Sequence, residues 1–550
     1  MAREINLDSI RALEKQIEEH EKAIIQLKRT RNSLLNVSTL LPPEMLVNFF
    51  RWNVIPDGDF GGLLKGSYNF LLVCHHWFEV ASRAPGLWCS WGNSIEDWKR
   101  RYARCGTGPL DLVLDRRTDL ELDDKLRDAL QDRATRDAIR RVHLRAAYGE
   151  ELLRSVISSI VTEGEETRTN SVESFIVQSG GVDAFVDVSG FFSRYHLPKL
   201  NRLHLSGCKI SSWDLLKSKT TTLTTLWVTI GRPSAIPTLS QLLSILSSNP
   251  LLQDLALFYS LDPHAIDRER SSPLVPLHHL KNLQLSSLFH DTFLLTSRLE
   301  LPDKMNSLDL ILFECSPSDL SQVLGPYLGD HIRRRGNFTG DGLGLLVDHT
   351  PYNLRFSVGD AHKHDDCNEF AQVDWFATVC AYPSESLGKK GTEKMCFDLI
   401  AHIPREHVIT LQATLHILRL QELCVEMCNL TYLHLNTVDL STLFVDPDVL
   451  RPHVSEDLLH SLDHIVIVGP TLSGGDWSPL TNFLSRRAVA GNPISSLRLR
   501  NHPPMDDDVV GSIERAVNVF EREHSGENGG SEGSDEGDES EGGESDESDH

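Results

Sequence analysis

Apolar positions along this 550-residue chain follow three successive rhythms. In the first, Ile10, Leu13, Ile17, Ile24, Leu27 and Leu34 alternate in steps of three and four, with His20 and Arg31 in the two interrupted places. That period places one apolar seam along a helix of about four heptads ending near Asn36, with charged residues filling the intervals. The seam must meet either a second copy of itself, through residues 7–35, or the domain that follows.

The second rhythm is a pair of shorter helical stretches. LPPEMLVNFF, residues 41–50, places Pro42 and Pro43 where a helix needs no amide donors, and Glu44 beside the positive helix start. Pro56 ends this helix, and the Gly-rich DGDFGGLLKGS carries the chain onward. In the next stretch Phe70, Val73, Cys74, Trp77 and Ala81 share one helical stripe, so Cys74 is expected on the apolar face. Ala84-Pro85 ends that helix, and Leu87-Trp88 follows as an apolar hook.

The third rhythm starts near residue 106 as a recurring L-x-x-L-x-L pattern. Clear instances are LPKLNRLHLSGC (197–208), LTTLWV (223–228), LLQDLAL (251–257), LHHLKNLQLSSL (277–288), MNSLDL (305–310), CNLTYLHL (428–435), LDHIVI (462–467) and ISSLRL (494–499). Weaker ones are PLDLVL, RRVHL and ESFIV, which set strand starts at 112, 142, 175, 203, 226, 255, 283 and 308. Steps of roughly 23 to 33 residues fit one strand plus one helix or loop per repeat, stacked into a parallel sheet. LSQLLSILSSNP (239–250) reads as one return helix, stopped at Asn249-Pro250. Between 310 and 430 the pattern loosens, with NLRFSV (353–358) and CFDLIAHI (396–403) as candidate strands and GDGLG (340–344) as a turn.

The second rhythm carries a family resemblance. Residues 41–88 resemble an F-box in the opening Leu41, Pro42 and Glu44, the apolar first helix with Leu46, Phe49 and Phe50, the Val73-Cys74-x-x-Trp77 core, and the closing Leu87-Trp88. The plan is similar to that of large fungal F-box families, in which degenerate leucine-rich repeats often follow the motif. The resemblance implies a three-helix motif that docks a Skp-type adaptor and, through it, a cullin. The adaptor-facing or motif-core positions would be Leu41, Pro42, Glu44, Leu46, Phe50, Val73, Cys74, Trp77, Leu87 and Trp88. The link between the two helices is longer than the short turn usual in the family.

Within L-x-x-L-x-L the flanking leucines face the core, while the central residue and those just outside the pair face the other way. This selects Arg202, His204, Thr225, Trp227, Asp254, Phe258, Asn282, Gln284, Asp309, Tyr432, His434, Arg498 and Arg500. Aromatic and arginine side chains dominate binding hot spots. A protein substrate is therefore expected on Arg202, His204, Trp227, Phe258, Tyr432, His434 and Arg498.

Charge narrows the partner classes. The formal net charge is −24, of which SGENGGSEGSDEGDESEGGESDESDH at 525–550 supplies −11 and the first 524 residues −13. Nucleic-acid binding needs clustered cations set against this acidic balance, and the short run Arg333-Arg334-Arg335 is read as a solvated loop. The acidic balance also disfavours anionic membranes. Ten cysteines without paired spacing, a charged N-terminus and no 18-residue apolar run suggest reduced thiols in the cytoplasm, the nucleus or both. The acidic tail is too poor in apolar residues to fold.

No nucleophile elbow, zincin helix, Walker loop or Rossmann glycine set appears in the sequence. Cys74, His75 and His76 are consecutive on a helix and point apart, so they do not converge on one metal. AHKHDDC (361–367) has metal-capable donors without a Cys-x-x-Cys partner, and Cys424 and Cys428 read as core thiols. The expectation is thus a non-enzymatic chain without cofactor or metal: a coiled helix at 1–36, an F-box at 37–105, an α/β leucine-rich-repeat-like horseshoe with short parallel strands at 106–524, and a disordered acidic tail at 525–550. The alternatives are a non-degradative scaffold and a metal-dependent enzyme built on residues 330–410.

Overall fold

A computed structural model describes residues 7–35, 41–54, 71, 73–88, 90–91, 105, 108–116, 128, 130–146, 150–161, 168–169, 171–180, 185–229, 236–258, 274–335, 342–349, 353–362, 372–383, 389–414, 427–436, 460–470 and 476–523. The acidic tail, the centre of the long link and most of the AHKHDDC segment lie outside them. The fold is mixed α/β with largely parallel sheet, in two compact units, Met1–Phe313 and Glu314–His550. No helix among the described residues is long and apolar enough to cross a membrane.

The first unit starts with α1 (Leu7–Leu35), whose extent follows the heptad pattern. Its seam residues Leu13, Ile17, Ile24 and Leu27 are 51–70% exposed, so packing within the chain does not bury them. In α2 (Pro43–Val54) the first-turn amides of Met45 and Leu46 donate to the Pro42 carbonyl at 3.0 and 3.2 Å, while Pro43 needs no acceptor. Helix α3 (His75–Ser82) starts later than the stripe implies: Val73 and Cys74 precede it, and Phe70 lies outside the described residues. Cys74 is its N-cap, with extended φ −161 and ψ 166, and contributes its carbonyl to the Phe78 amide rather than its thiol to the helix face.

A 3-10 turn, Pro85–Leu87, then returns the chain, and the buried Trp88 indole donates from Nε1 to the Ala81 carbonyl at 2.8 Å. Three residues after Leu87, β1 (Ser90–Trp91) pairs with β2 (Leu110–Arg116), so the helical hairpin leads directly into the sheet.

From there each strand is parallel to the next: β2, β3 (Ile139–Ala146), β4 (Ser174–Ser179), β5 (Arg202–Ser206), β6 (Thr225–Thr229), β7 (Asp254–Phe258), β8 (Asn282–Leu288) and β9 (Ser307–Cys315). The register matches the repeat pattern position for position. Leu112, Val142, Phe175, Leu203, Leu226, Leu255, Leu283 and Leu308 form one cross-strand row, and Leu114, Leu144, Val177, Leu205, Val228, Leu257, Leu285 and Leu310 a second. All sixteen side chains are at most 4% exposed. Burying one such side chain stabilises by about 1.5–3 kcal/mol relative to exposure, so the two rows fix the register and with it what the opposite face presents.

Return segments cover the buried rows. Helix α4 (Leu239–Ser248) is started by a capping box between Thr238 and Gln241. At its end the buried Asn249 side chain donates to the Ile245 carbonyl at 2.9 Å and accepts from the Leu223 amide at 3.1 Å. One amide therefore stops the helix and ties it to the turn before β6.

The second unit departs from the repeat rhythm where the pattern loosens. Strands β10 (Gly342–His349), β11 (Leu354–His362) and β12 (Gln372–Pro383) form an antiparallel meander, and β10 also runs parallel to β13 (Val408–Thr414). Parallel order resumes through β14 (Tyr432–Asn436), β15 (His464–Val468), β16 (Ile494–Arg500) and β17 (Val517–Glu523).

Several local expectations fail here for identifiable reasons. NLRFSV does fall in β11, but CFDLIAHI belongs to α5 (Lys389–Ile400) and the turn after it, because Met395, Cys396, Leu399 and Ile400 are buried at helical spacing. Gly342 and Gly344 open a strand rather than a turn: a Cβ on Gly344 would sit 2.6 Å from Val373 Cγ1, so the glycine permits close packing. Arg335 ends the helix Gly325–Arg335 and pairs with the buried Asp360 at 3.1 Å instead of being solvated in a loop. Cys428 is exposed, not a core thiol.

Candidate functional site

The hairpin of α2 and α3 divides the residues expected to bind an adaptor into two groups. Leu46, Phe50, Leu87 and Trp88 are buried at 0–4% exposure, and Trp77 packs edge-on against Phe50 at 5.2 Å and Phe49 at 5.6 Å. Of the two expected roles, adaptor-facing or motif core, the four buried residues take the core one and offer no contact surface. Leu41, Pro42, Glu44 and Val73 are exposed, while Cys74 and Trp77 are half-buried.

Two further residues, Met45 and Phe78, join this exterior. Met45 and Phe49 lie four residues apart on α2, Leu41 just precedes that helix, and all three are exposed, as are Val73 and Phe78. The strip was legible in sequence as the apolar complement of the Leu46–Phe50 stripe, but motif matching selects the core residues first. Large exposed apolar side chains are candidates for an interaction surface.

On the sheet of the first unit, the face opposite the leucine rows carries a pocket of about 160 Å³. Eight of the residues selected from the repeat pattern line it: Arg202, His204, Thr225, Trp227, Asp254, Asn282, Gln284 and Asp309. Parallel registration brings them together, since Ile176, His204, Trp227, Ala256, Gln284 and Asp309 are successive cross-strand partners. His204 stacks on Trp227 at 5.0 Å between centroids, and Trp227 on Phe258 at 5.3 Å. Neighbouring rings therefore cover the faces of the indole, which leaves its edge for a ligand.

His204 itself is only 3% exposed, with the Gln178 amide 3.3 Å from its ring, so it supports the platform instead of projecting from it. Burial, followed by the proximity of His143, pushes its pKa down to about 3. His143, 2.9 Å from the Ser174 hydroxyl, is pushed down to about 4 by burial and by Arg141 and Arg202. Both rings are neutral at pH 7, so fixed charge comes from the arginines and carboxylates. Asp254 accepts from Thr225 at 3.1 Å and from Asn282 at 2.5 Å, holding its carboxylate in place. Asp111, buried at the far end of this row, pairs with Arg140 at 3.3 Å. The surface thus grades from arginines on β3 and β5 through an aromatic centre to carboxylates on β7 and β9.

In the second unit Tyr432 stacks on its cross-strand neighbour His464 at 4.6 Å. His434 and His464 both have pKa values lowered, chiefly by burial. Arg498 does not stand free as a contact residue: its guanidinium is ion-paired with Glu521 on the next strand, and Arg500 pairs with Glu523 at 2.9 Å. The acidic partners come from β17, which lacks the leucine signature and was not expected to be a strand.

Among the described residues no group of three or more His, Cys, Asp or Glu is placed to hold a metal ion. His362, the described end of the AHKHDDC segment, closes β11 with Nε2 3.5 Å from Asp374. No family model matches the chain, and no curated protein sequence matches it.

Proposed function

We propose that the chain is a substrate-recruiting subunit of a Skp-cullin-F-box type ubiquitin ligase, with an F-box at the helical hairpin and a leucine-rich-repeat-like solenoid behind it. One observation carries this reading: the hairpin buries Leu46, Phe50, Leu87 and Trp88 to make a core, yet leaves Leu41, Met45, Phe49, Val73 and Phe78 outside. A helical pair that needed only to complete its own fold would have no use for five large apolar side chains in water. The adaptor docks on that strip, and the platform around Trp227 holds a protein substrate.

The mechanism is proximity. Tethering the substrate to the ligase raises the effective concentration of its lysines near the charged ubiquitin carrier, so the chain needs no nucleophile, metal or cofactor of its own. A non-degradative scaffold would share both surfaces and differ in outcome: proteins captured on the platform would gain no ubiquitin.

The test is titration of the full-length chain with a purified Skp-type adaptor. Met45→Asp combined with Val73→Asp should abolish binding while the fold persists, since both side chains are exposed. Trp227→Ala should leave adaptor affinity unchanged. A wild-type chain that does not bind the adaptor overturns the reading.

A further inference from the structure

The unpartnered seam of α1 belongs to neither surface of the proposed function, and its charge distribution specifies an occupant. Leu13, Ile17, Ile24 and Leu27 stand exposed along the helix, where isolated apolar side chains would be tolerated but a heptad seam, even one interrupted at His20 and Arg31, is an association surface. Residues 7–21 carry five carboxylates and two cations, whereas residues 22–35 carry four cations and no carboxylate. The helix is therefore a dipole of side-chain charge, −3 in its first half and +4 in its second.

We infer that α1 pairs with α1 of a second copy of this chain, and that the two helices run antiparallel. In that arrangement each negative half lies along a positive half. Seam positions pair as Leu13 with Arg31, Ile17 with Leu27 and His20 with Ile24, and Glu14 flanks Lys28 of the other copy. A parallel pair would instead set like halves together and place Arg31 against Arg31 in the seam. Two facing guanidiniums in a partly desolvated layer cost more than the antiparallel pair's unfavourable contacts, Arg31 beside Leu13 in the seam and Glu21 with its own copy on the wet flank. The single helix is already suited to this charge order, because carboxylates near its N-terminus and cations near its C-terminus complement the macrodipole. Pairing brings two hairpins and two platforms into one particle.

Sedimentation equilibrium of the full-length chain gives the first reading, with a mass of two chains expected. Ile17→Lys combined with Leu27→Lys should return it to one chain without loss of helix, since neither side chain packs within the chain. Orientation is read by disulfide trapping, with the unsubstituted chain as background. Chains carrying Ile17→Cys mixed with chains carrying Leu27→Cys should cross-link to each other, and Ile17→Cys chains should not cross-link among themselves. Residues 17 and 27 lie about 15 Å apart along one helix, beyond the roughly 7 Å that a disulfide spans between Cα atoms. A single-chain mass, a mass above two chains, self-linking through residue 17, or no link between the two variants each overturns the proposal. These readouts are independent of adaptor binding.

Discussion

The Trp227 indole lies against the His204 ring at 5.0 Å and 20°, on neighbouring parallel strands that pair these two residues in register. The contact follows from the repeat: the leucines on either side of each ring face the core, so both rings emerge on the same face, one strand spacing apart. An aromatic ladder results, with Phe258 as its third ring.

Removing the central ring should separate binding from folding. Trp227→Ala deletes two ring contacts of about 0.5–1.5 kcal/mol each, so a stability loss of roughly 1–3 kcal/mol is expected by chemical denaturation. Substrate capture from a binding assay should fall by far more than that loss of folded population accounts for. Cooperative unfolding of the chain would show instead that the ring is structural.

The buried histidines predict an acid-sensitive fold. His143 and His204 have folded pKa values of about 4 and about 3, below the ordinary 6.5. The unfolded chain therefore takes up their protons first, and the unfolded state gains as pH falls. Their stabilising effect is fully present above pH 6.5 and is lost progressively as pH falls from there through about 4 and about 3. Urea midpoints measured across that window should fall more steeply for the wild type than for His143→Gln combined with His204→Gln. Equal slopes would show that the two rings titrate normally in the folded chain.

Trp88 is the clasp of the hairpin. Trp88→Phe keeps most of the apolar volume but removes the indole donor at 2.8 Å from the Ala81 carbonyl, which keeps the Ala84 amide at 3.1 Å, a cost of about 0.5–1.5 kcal/mol. Trp88→Ala should cost about 3–5 kcal/mol and weaken adaptor binding indirectly, by loosening α3. Thermal melting of the two variants should rank in that order. The converse ranking would place the hydrogen bond above the packing.

Gly344 should tolerate no side chain. Even the Cβ of Gly344→Ala would approach Val373 to 2.6 Å, and relief requires a shift of β12. Overpacking of this kind costs about 1–3 kcal/mol. A denaturation midpoint equal to wild type would mean that Val373 moves aside freely.

The repeat strands from 112 to 308 were legible because a parallel ladder buried on one face demands the same two apolar positions in every strand. Even RRVHL, with arginines beside its apolar pair, follows from Val142 and Leu144. Between 310 and 430 the signal fails for a specific reason: glycines at 342, 344 and 359 serve close strand packing, while in sequence they suggest turns. The helix at 389–400 was read as a strand because its apolar run is short enough to suit either element. At the hairpin the family-like landmarks pointed to real elements and to both sides of them: Leu41, Pro42, Glu44 and Val73 are exposed, while Leu46, Phe50, Leu87 and Trp88 are buried. Leu87 and Trp88 catch the eye as bulky apolar residues because they are core, and the exterior also includes the quieter Met45 and Phe78.

The central claim is that the exterior strip of the hairpin receives a Skp-type adaptor, and hydrogen–deuterium exchange on the full-length chain tests it most directly. Adding purified adaptor should slow exchange in residues 43–54 and 73–88 and leave the amides of Thr225–Thr229 unchanged. Exchange unaltered throughout, or slowed on the repeat strands and not on the hairpin, would contradict the account.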